Sequence, residues 1–143
     1  MQALRISTDS NITRVDLTVG GRDTLDGLTT EIGCRHVDVV ALPDGNGGTI
    51  DMWVDDEGMY GGEVNPAASA VALLLEPRIV QSFFGNAVFA AHNGDGDTVA
   101  LSDRQIGVIL DKLADATRVP ADQRDEWVFL AARALGVTLP ARV

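Results

Sequence analysis

Near the middle of the chain, Asn65-Pro66 opens the run that most constrains the fold: Ala67-Ala68-Ser69-Ala70-Val71-Ala72-Leu73-Leu74-Leu75. Asn is a favoured N-cap, because its side-chain oxygen can accept from an otherwise unpaired N–H of the first helical turn. Pro suits the first helical position, where its missing N–H costs nothing. The segment is apolar nearly all round, which predicts a mostly buried helix, closed by Glu76-Pro77. It is about half the roughly 18 residues that a membrane span needs, so other parts of this chain must cover it. A chain of 143 residues has the material to do so. It matches one domain of roughly 100–150 residues and can bury about two-thirds of its unfolded surface. Hydrophobic residues at 45% and charged residues at 22% are an ordinary globular mix, which excludes a disordered or collagen-like chain.

The covering surface reads as strands. Leu4 to Thr8 and Ile12 to Val19 alternate apolar and polar residues around the turn cluster Asp9-Ser10-Asn11, the pattern of a hairpin. After Gly20-Gly21, Asp23 or Thr24 caps a short helix carrying Leu25, Leu28 and Ile32 on one side, and Gly33 ends it. His36 to Leu42 and Thr49 to Val54 are further strands, joined by Pro43-Asp44-Gly45-Asn46-Gly47-Gly48, and Asp55-Asp56-Glu57-Gly58 turns the chain. Ile79-Val80, Gly85 to Ala91 and Thr98 to Leu101 also read as strands, the last two linked by Asn93-Gly94-Asp95-Gly96-Asp97. Ser102 and Gln105 form a capping-box pattern before a helix striped with Ile106, Ile109, Leu110 and Leu113. Pro120 starts a last helix with Trp127, Leu130, Ala131, Ala134 and Leu135 along one face, ended by Gly136. The expected fold is α+β: an antiparallel-rich mixed sheet with short helices and a C-terminal helical hairpin. Residues 1–143 form a single domain, an acidic part over 1–102 with a helical pair, 103–143, packed on it.

The charge is unevenly placed. Twenty-one acidic and eleven basic residues give a net charge of −10. Residues 103–143 hold six of each, so 1–102 hold fifteen acids and five bases and carry the whole excess. Such a surface either serves solubility or meets a basic partner. Direct nucleic-acid or anionic-membrane binding is not expected, since both need surplus Lys and Arg. Cys34 is the only cysteine, so the chain forms no internal disulfide and needs no oxidising compartment. Met1-Gln2-Ala3-Leu4-Arg5 lacks the start of a signal peptide, and a cytoplasmic protein is expected. Ten of the eleven basic residues are Arg, which suits a GC-rich genome.

Chemistry-bearing motifs are sparse. Asn93-Gly94-Asp95-Gly96-Asp97 has the look of a calcium loop, but an EF-hand needs Gly at position 6 and Glu at position 12, where this chain has Thr98 and Arg104. Asp44-Gly45-Asn46-Gly47-Gly48 fails the same test, and both read as turns. Asp55, Asp56 and Glu57 could hold a metal or do acid–base work, but adjacent carboxylates on a turn usually diverge into solvent. Cys34 and His36 lack a second Cys/His pair for zinc, and a nucleophile pair would need an orienting third group. No metal or cofactor is expected. Arg124 and Arg133 are thin support for reading the last two helices as a DNA-binding helix-turn-helix. Trp127, Phe129 and Leu130 could present an aromatic patch to a partner.

Three segments carry a resemblance. Asp51-Met52-Trp53-Val54-Asp55-Asp56-Glu57-Gly58, Val64-Asn65-Pro66-Ala67-Ala68 and Phe83-Phe84-Gly85-Asn86-Ala87-Val88 resemble a domain family common in phages and mobile elements, catalogued as domain of unknown function thirty-eight forty-six. The likeness covers roughly residues 1–102 and leaves the C-terminal helical pair outside. The matching positions are Asp55, Glu57, Gly58, Asn65, Pro66 and Gly85; Met59 to Glu63 is longer than the usual link. The resemblance implies an accessory protein of a phage or integrated element, in an actinobacterial host given the composition.

The expected function is non-enzymatic binding of a host or phage protein, through the acidic face or the C-terminal helices. One special case is an acidic DNA mimic, whose carboxylates stand in for phosphates. The rival class is a small-molecule or nucleotide binder with a pocket near Glu57, Asn65 and Gly85, and a virion component is a third. An Asn65 that only caps its helix predicts a loss of about 0.5–2 kcal/mol for Asn65→Ala with binding intact.

Overall fold

The computed structural model describes residues 1–139. Its strands are β1 (Gln2–Ile6), β2 (Ile12–Asp16), β3 (Val37–Pro43), β4 (Thr49–Asp55), β5 (Ala87–His92) and β6 (Thr98–Val99). The helices are α1 (Thr24–Ile32), α2 (Pro66–Leu75), α3 (Asp103–Ala116) and α4 (Arg124–Ala134). The strands make one sheet in the order β2-β1-β5-β4-β3, with β6 pairing β5, and every pairing is antiparallel. The class is α+β, with the expected hairpin of α3 and α4 at the C-terminal end.

Strand geometry sends alternate side chains to opposite faces, and both faces are covered. Leu4, Ile6, Ile50, Met52, Ala87 and Phe89 meet α2, α3 and α4 in the larger core. Ala3, Val88 and Ala90 meet Leu17, Leu28 and Ile32 on the α1 side. This two-sided burial explains why Ala87-Val88-Phe89-Ala90-Ala91 is apolar without alternation, the mark of a central strand.

The helix signals act as their chemistry predicts. Asp23 caps α1 by accepting from the Asp26 N–H, and Gly33 ends it in the left-handed region at φ +80°. Ser102 and Gln105 form the reciprocal capping box of α3. The Asp44 and Asn93 loops are hairpins organised by their first residue. Asp44 Oδ1 accepts from Asn46 N (2.8 Å) and Gly48 N (3.0 Å), and Asn93 Oδ1 accepts from Asp95 N and Asp97 N (both 3.0 Å). In each loop one side-chain oxygen, Oδ1 of Asp44 or of Asn93, is engaged in folding the turn.

Several expectations need correction. Ile79-Val80 is not a strand; Ile79 N donates to Glu76 O in the turn that leaves α2, and the next strand begins only at Ala87. The helix α2 is buried on one face, through Ala67, Ala68, Val71 and Ala72, while Leu73 and Leu74 stay exposed because the sheet covers only one side. On α4 the inward residues are Val128 and Ala132, flanked by half-buried Trp127, Ala131 and Leu135. Leu130 and Ala134 point outward, so the buried stripe is rotated from the expected one. Arg124 helps set that rotation: its guanidinium donates to Asp111 O at 3.0 Å and pairs with Asp115 on α3.

Candidate functional site

Asn65 is fully buried and does more than cap α2. Its Oδ1 accepts from Ala68 N at 3.0 Å, while Nδ2 donates to Ile6 O on β1 and to Gly85 O, both at 2.9 Å. Its own N–H donates to Phe83 O at 2.8 Å, and Gly85 N donates to Glu63 O at 2.7 Å. Gly85 sits at φ +80°, a conformation that Gly adopts without a Cβ penalty. Both amide hydrogens of Asn65 are thus engaged by the fold, and none remains for a ligand.

The Asp55 turn closes on the same segment. Asp55 Oδ1 accepts from Glu57 N at 2.9 Å, which fixes the reversal. Gly58 is buried, and a Cβ there would lie 2.8 Å from Phe84 O. Glu57 remains exposed and Pro66 occupies the first turn of α2. A structural seam therefore runs through the motif, in which Gly58 lies against Phe84 while Asn65 holds Gly85, and the Glu57 side chain stays outside it. The rival expectation is a pocket near Glu57, Asn65 and Gly85; in the structure Asn65 and Gly85 are hydrogen-bonded to each other, and the Glu57 side chain is exposed at the turn.

Beside this seam lies an open groove of about 390 Å³. Val40, Val54, Phe83 and Phe84 line it, Met59 stands at it 69% exposed, and Asp38, Asp55 and Asp56 supply its carboxylates. Of the motif residues only Asp55 and Gly58 line it. Among the described residues no Lys, Arg or His does so, and none of the three carboxylates has an ion-pair partner.

A second depression, of about 370 Å³, gathers Cys34, Arg35, His36, Asp55, Glu57 and Tyr60. Burial pushes the Cys34 thiol up, and the Asp55 carboxylate adds to this, against a backbone hydrogen bond at His36. A raised thiol is largely uncharged at neutral pH, so Cys34 is not an activated nucleophile. Among the described residues, no group of three or more His, Cys, Asp or Glu is placed to hold a metal ion.

The sequence reading missed one pair. His92 Nδ1 lies 2.8 Å from Asp51 Oδ2, with the Asp51 carboxylate almost fully buried and the imidazole partly exposed. A carboxylate behind a histidine fixes the ring's orientation and tautomer. The available signal was Asp51 itself, a charge inside the apolar run Ile50 to Val54. At the other end of the molecule, Phe129 and Leu130 are exposed (60% and 53%), but Trp127 packs against the core, so the expected patch lacks its largest member.

These features define a small α+β domain built on one antiparallel sheet, with a seam of structural Asn, Pro and Gly residues beside an acidic groove. The chain belongs to the family described as Domain of unknown function (DUF3846), which matches residues 1–114. The match runs past residue 102 and takes in most of α3, which the sequence reading had left outside. The packing gives the reason: Ile106, Ile109, Leu110 and Leu113 are integral to the larger core. No curated protein and no solved structure matches the chain.

Proposed function

We propose that this chain is a small non-enzymatic accessory protein of a phage or mobile element. It acts in the cytoplasm of an actinobacterial host by binding a basic host or phage protein through its acidic part. The supporting observation is the placement of charge. Residues 36–103 contain eleven acids and one base, Arg78, a difference equal to the net charge of the whole chain. Arg78 is itself paired with Glu76. Like-signed surfaces of this kind steer oppositely charged partners and set the salt dependence of binding.

The test is affinity capture of the tagged protein from an actinobacterial lysate at low and high salt, read by mass spectrometry. A stoichiometric basic partner held at low salt and lost at high salt is the expected result. A partner held equally at both salts removes the acidic face from the account. Competition by duplex DNA for the same partner identifies the DNA-mimic form of the function.

A further inference from the structure

We propose that the groove beside Asp38, Asp55 and Asp56 is the docking site for an extended segment of the partner in which Arg or Lys alternates with apolar residues. This inference rests on the acidic-surface reading above and names the place and chemistry of contact. The groove combines two properties. Val40, Val54 and Phe83 give it an apolar lining, and Met59 adds an exposed apolar side chain. Among the described residues its charges are all carboxylates. An Arg or Lys side chain has the matching construction, an apolar stem that buries and a cationic head that stays hydrated. Arg is the better match, since its planar fork can engage a carboxylate through two hydrogen bonds.

The carboxylates are oriented but not neutralised. Asp38 Oδ1 accepts from Val39 N and Asp55 Oδ1 from Glu57 N, both at 2.9 Å, which fixes these two side chains without supplying a countercharge. The Asp38 bond also defines how the segment can bind. Opposed pairs His36–Asp56 and Asp44–Gly48 are joined by backbone hydrogen bonds, so even-numbered residues of β3 face β4 and odd-numbered ones face the free edge. On that edge the Val39 N–H is already held by Asp38, and Pro43 has no N–H. Strand addition would find a broken row of donors. The partner segment therefore engages through side chains entering the groove, not by extending the sheet.

The experiment titrates a short labelled peptide alternating Arg and Leu against the full chain at low salt. Binding is read by fluorescence anisotropy and by backbone amide shifts. Two double variants are compared, Asp38→Asn with Asp56→Asn in the groove and Asp95→Asn with Asp122→Asn away from it. All four carboxylates are exposed, and the amide spectrum of each variant reports that it is folded. The expected result is shifts confined to residues 38–40, 54–59 and 81–84, with binding weakened about fivefold by the groove pair relative to the control pair. Peptides alternating Arg with Ser, or Glu with Leu, bind more weakly. Equal weakening by both pairs, or shifts elsewhere, overturns the groove while leaving an acidic binder in place. No binding of the Arg–Leu peptide also overturns the groove. The acidic-surface reading fails separately, on salt-independent capture of the partner.

Discussion

Replacing Asn65 with Ala removes more than a helix cap. A cap alone is worth about 0.5–2 kcal/mol. Here the same side chain also donates to carbonyls of β1 and of the segment entering β5, in a fully buried place. Losing buried hydrogen bonds without replacement adds to the cost, so Asn65→Ala is expected to destabilise by about 2–4 kcal/mol, above the range for capping alone. Asn65→Asp separates the roles. Asp caps helices as well as Asn does, but its carboxylate would face the carbonyls of Ile6 and Gly85, to which it can donate nothing. Urea midpoints of the two variants check this; an Asp variant as stable as the parent would reduce Asn65 to a cap.

At the scale of elements, the sequence specified those whose ends are written in local chemistry. Asp23, Gly33, Asn65, Pro66, Ser102 and Gln105 all bound their helices as expected, because a cap acts within one turn. The face that α4 buries was not legible: Trp127 to Ala132 is apolar throughout, so periodicity could not choose, and contacts with α3 decided. The groove was equally hidden, since Asp38, Val54 and Phe83 meet only through the antiparallel pairing and the return of the chain. Gly27 is another such position. In an exposed helix, Gly to Ala would gain about 1 kcal/mol. A Cβ at Gly27 would lie 1.9 Å from Leu17 O, so α1 could not keep its seat on the sheet. Gly27→Ala is expected to destabilise by at least about 2 kcal/mol, the scale of an overpacked core. Thermal unfolding checks the sign, and a stabilised variant would show that α1 shifts freely. Asp44 ties the β3–β4 hairpin to α3. Burial works to raise its carboxyl, but the Asn46 and Gly48 N–H groups, the Gln105 amide and the Arg104 guanidinium outweigh this and lower it. A lowered folded value means that the stabilisation is fully present above the unfolded value, near 3.8, and fades as pH falls through the folded one. Asp44→Asn should therefore cost about 1–3 kcal/mol at pH 7, and the difference from the parent should shrink in acid. A gap that stays constant down to about pH 2 would contradict the linkage.

Over the whole molecule, the charge placement behind the proposed basic partner should also work against the stability of the domain. Eleven acids and one base lie in residues 36–103, and those around the groove have no ion-pair partner among the described residues. Folding brings these carboxylates closer than they are in the unfolded chain, and like-charge repulsion then works against the compact state. Salt should relieve it. The Debye length falls from about 30 Å at 0.01 M to about 10 Å at 0.1 M, which screens exposed charges on opposite sides of a small domain. The existing ion pairs respond in the opposite sense, but pairs near the surface are each worth only about 0–1 kcal/mol. The repulsive term therefore wins, and Tm should rise by several degrees between about 0.01 and 0.3 M sodium chloride. Asp38→Asn with Asp56→Asn should raise Tm at low salt and flatten its salt dependence more than Asp95→Asn with Asp122→Asn. A Tm that is flat or falls with salt would mean that the carboxylates lie too far apart to repel. A basic partner would then gain nothing from relieving them. A rising Tm, concentrated in the groove pair, would place at that groove the unfavourable energy that a cationic segment is suited to remove.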